Sequence, residues 1–184
     1  QVSATLMLSR NSTLEFARLL RARLSPAGAI ALRFSSGPNV QVGPRAQLGA
    51  SLYATLGHAF PFVRPLPDPL NILIAGTTPD AVAVDHATIV ERWRERSINS
   101  EGVTPETLID QFSPERIATL QREFDHTARA SAISTDARPV AFVHAFALRE
   151  RLAMGGRALA LPALLERPSI IWLLVLFPSL LVLV

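Results

Sequence analysis

The chain has 184 residues, no cysteine and a formal net charge of +3, and 49% of its residues are hydrophobic. That length holds one domain plus an appendage, and the lack of cysteine excludes disulfides, thiolate metal sites and a cysteine nucleophile. Every basic residue is arginine, interleaved with acids as in ERWRER at 91–96, which describes a solvated helix face and excludes a nucleic-acid-binding stripe. His58, His86, His126 and His144 form neither an i,i+4 pair nor an HExxH, so no metal is expected, and His144 reads as part of one helix face.

The first predicted helix is NSTLEFARLLRARL, with Ser12 and Glu15 at capping-box spacing. Phe16, Leu20 and Leu24 recur every four residues beside Ala17 and form one apolar stripe; Pro26 and Gly28 end it. Ala29 to Phe34 reads as a strand so continuously apolar that both its faces should be covered. Turn formers fill SSGPNVQVGP, and a helix follows over 44–59 with Leu48, Leu52 and Leu56 on one face. A short strand at 62–64, a Pro-Asp-Pro turn and a strand at 70–76 can pair as a hairpin. Short helices come next. One, over 85–96, carries Ile89, Val90 and Trp93 inward; two more start at Thr104-Pro105 and Ser113-Pro114, with a capping residue before a proline. Ile117, Leu120 and Phe124 continue the last pattern, and TDARPVAFVHAFALRERLAM runs to a break at Gly155-Gly156.

Residues Pro168 to Val184 carry no charge and follow Arg149, Arg151, Arg157 and Arg167, with Trp172 near the start of the run. This composition predicts a transmembrane helix whose arginine-rich end faces the cytoplasm. Pro178 is compatible with it. The chain starts at Gln1 and stops inside the apolar run, so both ends read as cut from something longer.

The fold class expected is α/β: the C-terminal half of a Rossmann-like, methyltransferase-type sheet, then short helices, then the transmembrane helix. The expected division is 1–80 for the half-sheet, 81–155 for a helical extension of the same domain, and 156–184 for the juxtamembrane segment and the start of the span. No G-x-G-x-x-G follows a strand, so the nucleotide-binding half is expected to lie elsewhere, leaving the strand at 29–34 with an unpaired edge prone to association.

STLEFARLLRARLSPAGAIALRF resembles a segment of the spermidine synthase family, the polyamine aminopropyltransferases. LGASLYATLGHAFPFVRPLP followed by NILIAG is similar to that family's next helix and closing strands. VTPETLIDQFSPERIATL and STDARPVAFVHAF resemble the end of its membrane-embedded bacterial branch. The resemblance runs from about Ser9 to the tail and rests on the order and spacing of these segments. It implies aminopropyl transfer from decarboxylated S-adenosylmethionine, as co-substrate, to a diamine such as putrescine, without a metal. It further implies a bacterial inner-membrane location with the soluble part in the cytoplasm. The partners it implies are membrane lipid, the missing N-terminal half of the domain, the diamine and a second copy of the chain. In the family an acidic loop before the first helix holds the diamine; the matching QVSATLMLSRNS has no acid, so the resemblance assigns no catalytic acid and implies that this chain alone is inactive. A methyltransferase-like domain and a non-catalytic membrane scaffold or binding module are the two rival expectations.

Two candidate sites follow. Ser35, Ser36, Gly37 and Asn39 sit after the carboxyl end of a strand, where this fold binds ligands, and are either substrate contacts or a polar turn. Thr135, Asp136 and Arg138 are either a structural clasp, with Asp136 capping the next helix and Arg138 paired to it or to a carbonyl, or a site where Asp136 binds the diamine.

Overall fold

The computed structural model of the chain describes residues 10–34, 44–67 and 71–153. After a short 3-10 turn at Arg10–Ser12 comes α1 (Leu14–Arg23). Its cap is Thr13, one residue past the expected Ser12: Thr13 is extended and its hydroxyl accepts from the Phe16 N–H. Glu15 does not close a capping box; its Oε2 accepts instead from the backbone N–H of Asp136. Strand β1 (Ala29–Arg33), helix α2 (Pro44–Ala59), and strands β2 (Phe62–Leu66) and β3 (Ile72–Gly76) follow. The helices α3 (His86–Glu95), α4 (Pro105–Gln111), α5 (Pro114–Ala128) and α6 (Val140–Ala153) complete the described chain. Their caps are local and strong: Asp85 for α3, Thr104 with Thr107 in a reciprocal box for α4, and Ser113 for α5.

The sheet has three strands in the order β1-β3-β2, and both pairings are antiparallel. This overturns the expected C-terminal half of a Rossmann-like, methyltransferase-type sheet: the described strands form a small, wholly antiparallel one. The hairpin β2–β3 fixes an antiparallel pair, and its second strand inserts beside β1, again antiparallel, with Ala31 opposite Ile74 and Ile74 opposite Arg64. Nor is β1 covered on both faces. Ile30 and Leu32 turn to the core while Ala29, Ala31 and Arg33 are exposed. The alternation was hidden in the sequence because the outward residues are mostly alanine, small enough to read as apolar on either side. Pro65 is tolerated because β2 is an edge strand. Before β3 the chain reverses at Asn71, buried with φ of 45°, whose carbonyl accepts from the Phe34 N–H at 3.2 Å.

Among the described residues no helix is long and apolar enough to cross a membrane. The structure thus gives no support to the transmembrane part of the expected fold. That expectation fell on 168–184, which lies outside the described residues, as do Gly155-Gly156 and the segment 156–184.

Helix α2 is the centre of the fold. It packs on α1, α5, α6 and the sheet, which explains why its sequence is small or apolar around most of its circumference. Leu48, Leu52 and Leu56 are buried in one cluster with Leu14, Phe34, Leu73, Leu120, Phe124 and Leu148. Each such large side chain contributes about 1.5–3 kcal/mol on burial. The Phe124 ring meets Phe34 edge-on at 6.3 Å and stacks on Tyr53 at 5.4 Å. By contrast α3 buries no residue fully: Ile89, Val90 and Trp93 are half-buried. It is tethered instead by Arg92, whose guanidinium donates to the carbonyls of Ala83 and Asp80 and pairs with the Asp80 carboxylate at 3.2 Å.

Candidate functional site

The turn at 134–138 and the start of α1 are joined by a set of hydrogen bonds between distant residues. The Asp136 carboxylate accepts from the Thr13 hydroxyl at 2.7 Å and from the Arg10 guanidinium at 3.0 Å. The Leu14 N–H, one of the orphan donors of a helix start, finds the Ser134 carbonyl at 2.8 Å. Thr135 and Arg138 close the turn through their backbones, and the Arg138 N–H also donates to the Thr135 hydroxyl. The structure therefore brings Thr135, Asp136 and Arg138 into one turn, but neither Asp136 capping α6 nor an Asp136–Arg138 pair is found among the described contacts. Behind them, the Ser134 N–H donates to the Thr55 hydroxyl, Thr55 donates to the Ser51 carbonyl, and Ser51 donates to the Ala132 carbonyl. The Ser134 hydroxyl in turn accepts from the Ala141 N–H at 3.3 Å, tying down the start of α6.

Burial divides this cluster. Thr13, Ser51, Thr55 and Ser134 are almost wholly buried, so each hydroxyl has to be paired, and each is. Asp136 and Arg10 lie in water, where an ion pair is screened and contributes little. The Thr13 hydroxyl, and secondly the Arg10 guanidinium, hold the Asp136 carboxyl below the usual carboxylate value. Thr13, Ser51, Thr55 and Ser134 were missed from the sequence. A signal existed in Ser51 and Thr55, two hydroxyls at i,i+4 within the otherwise apolar face of a helix.

On the opposite side of α2 lies an open-mouthed cavity of about 670 Å³ between α2, β2, α4 and α5. Phe60, Phe62, Ile109, Phe112 and Ile117 supply apolar wall. Asp85, at its rim, has its two oxygens engaged by Thr88, at 3.1 Å from the N–H and 2.7 Å from the hydroxyl. Those bonds draw its pKa down. The Tyr53 phenol donates to Asp125 at 2.7 Å and also contacts the Gln121 amide. Burial, then the adjacent Asp125 carboxylate, pushes the Tyr53 pKa well above that of an ordinary phenol.

The described residues do not fit the nucleoside co-substrate that the resemblance implies. A cradle for it needs a glycine at a strand end with open space beside it. At Gly76, which ends β3, a Cβ would meet Ala81 at 2.9 Å and Val82 at 3.0 Å, so the glycine accommodates the chain itself. The acid just beyond, Asp80, is paired to Arg92. Ser35, Ser36, Gly37 and Asn39 lie outside the described residues. No group of three or more potential metal ligands occurs among the described residues, and His144 is buried within α6. No protein-family model matches the sequence, and no curated protein matches it.

Proposed function

We propose that this chain is the part of a polyamine aminopropyltransferase-like protein that does not bind the co-substrate, and that it turns over nothing by itself. In the whole protein decarboxylated S-adenosylmethionine would donate an aminopropyl group to a diamine. The observation that carries this proposal is the outer edge of β1. Among the described residues β1 pairs only with β3, while its Ile30 and Leu32 already belong to the core. Such an edge accepts another strand, supplied here by the segment that holds the co-substrate or, in its absence, by a second copy. Association with the cytoplasmic side of the bacterial inner membrane, through its lipid, belongs to the same proposal and is tested by fractionation.

One observation favours a second reading, a non-catalytic scaffold or binding module: both oxygens of Asp136, the acid proposed for the diamine, are occupied by Thr13 and Arg10. The deciding experiment uses the full-length protein with decarboxylated S-adenosylmethionine and putrescine. Release of methylthioadenosine, abolished by Asp136→Asn without loss of fold, supports the aminopropyltransferase reading and the diamine role together. Release unaffected by Asp136→Asn leaves Asp136 as part of the clasp. No release supports the module, and formation of S-adenosylhomocysteine from S-adenosylmethionine would point to methyl transfer instead.

A further inference from the structure

The cavity between α2, β2, α4 and α5 contains one charged group that the fold does not use. Arg64, on edge strand β2, is half-buried and lines the cavity. Its backbone belongs to the ladder with β3, but no hydrogen bond or ion pair joins its guanidinium to another described residue. A guanidinium offers five N–H donors in a planar fork, and here the described residues take none of them, which leaves the fork to water or to a ligand. The cavity's carboxylate does not serve it: both oxygens of Asp85 are taken by Thr88. Nor does the phenol of Tyr53, which is committed to Asp125 and Gln121.

The remaining wall is apolar and aromatic, with Phe60, Phe62, Phe112 and Ile117. Its volume of about 670 Å³ falls within the roughly 300–1,000 Å³ of small-molecule sites. Helix α2 leaves room on its side too: a Cβ on Gly57, which also lines the cavity, would meet nothing within 4 Å.

We propose that this cavity is a binding site for a small amphipathic carboxylate, whose carboxylate is taken by the Arg64 fork and whose apolar body lies against the Phe60–Phe62–Phe112 wall. Two parallel N–H···O bonds from a guanidinium to a carboxylate are charge-assisted and directional. The apolar walls raise their strength by excluding water. A dication is disfavoured because the carboxylates near the cavity are engaged and the free charge is positive. The proposal does not depend on the aminopropyltransferase reading: it concerns a different face of α2 and a ligand of opposite charge.

The test is calorimetric titration of the chain with three ten-carbon probes below their micelle concentrations: decanoate, decanol and decylammonium. Decanoate is expected to bind about ten-fold more tightly than the other two, the size of one charge-assisted hydrogen-bonded contact. Arg64→Gln is expected to bring decanoate down to the level of decanol. Gly57→Trp fills the cavity from an open position on α2, and is expected to abolish decanoate binding while the melting temperature is kept. Equal binding of decanoate and decanol to the unaltered chain, tighter binding of decylammonium, or no binding of decanoate overturns the proposal. So does decanoate binding that survives Gly57→Trp, since it would then lie elsewhere on the chain. The three-probe comparison on the unaltered chain decides the matter even if Arg64→Gln does not fold.

Discussion

Gly49 and Gly57 lie about two turns apart on helix α2 and meet opposite surroundings. A Cβ on Gly49 would come within 2.9 Å of both Phe124 and Phe34, whereas one on Gly57 would meet nothing within 4 Å. Around Gly49 the helix is closed by aromatic rings, and the side away from the cavity is closed by the buried hydroxyls of Ser51 and Thr55, each of them paired. At Gly57 the helix opens on the cavity, beyond which α3 has no fully buried side chain to anchor it. Stability is concentrated where the helix is enclosed. Even near Gly57 the core face of the helix buries Leu56, Ala59 and Phe60, and it is the cavity-facing side that is left free to carry a ligand.

The largest expected effect breaks the closed end. Phe124→Ala removes the ring that fills the space between Phe34 and Tyr53, and should lower unfolding free energy by about 3–5 kcal/mol, read from denaturant midpoints. Gly49→Ala should lower it by about 1–3 kcal/mol through overpacking against the same rings. Thr13→Ala deletes both the cap of α1 and the hydroxyl that faces Asp136, with an expected loss of about 1 kcal/mol in the same measurement. Gly57→Ala sharpens the contrast from the other side. The substitution is identical to that at Gly49, but here it should stabilise, by up to about 1 kcal/mol, because a helical glycine is replaced in open space. If both glycine variants move in the same direction, the surroundings of Gly49 and Gly57 are not as described.

The smallest effect concerns pH. The folded-state pKa of Asp136 is depressed, so its contribution is present above the ordinary carboxylate value and is lost as pH falls through the folded value. Asp136→Asn should therefore narrow the difference between denaturant midpoints taken near pH 6 and near pH 3. An unchanged difference would show that the Thr13 and Arg10 contacts leave no mark on stability.

What could be read from the sequence was mostly local. The caps at Asp85, Thr104 and Ser113 lie within three residues of the groups they satisfy, and the proline after Thr104 and Ser113 marks the helix start. The apolar spacing of Leu48, Leu52 and Leu56 likewise placed α2 from its own period. The β2–β3 hairpin could be read from its own turn, but β1 was misjudged because Ala29 and Ala31 conceal which of its faces is wet, and its direction is decided by pairing with a strand far along the chain, where Ala31 lies opposite Ile74. Arg64 carried no local sign: in FPFVRPLP it reads as an ordinary edge-strand charge, and only the packing of α4 and α5 places it against a cavity. The hydroxyl network was illegible for the same reason, since Thr13 meets its acceptor 123 positions later.

That last separation has a consequence for biosynthesis. Residues 10–15 leave the ribosome long before residues 134–136 are made, and until then the cap of α1 lacks its Asp136 partner and the Leu14 N–H lacks its acceptor. Helices α5 and α6, which wall in α2, also arrive late. The nascent polypeptide must therefore keep the apolar inner face of β1 and the leucines of α2 uncovered through most of its translation, a window in which chaperone capture competes with aggregation. Its final latch closes only after the turn at 134–138 has emerged.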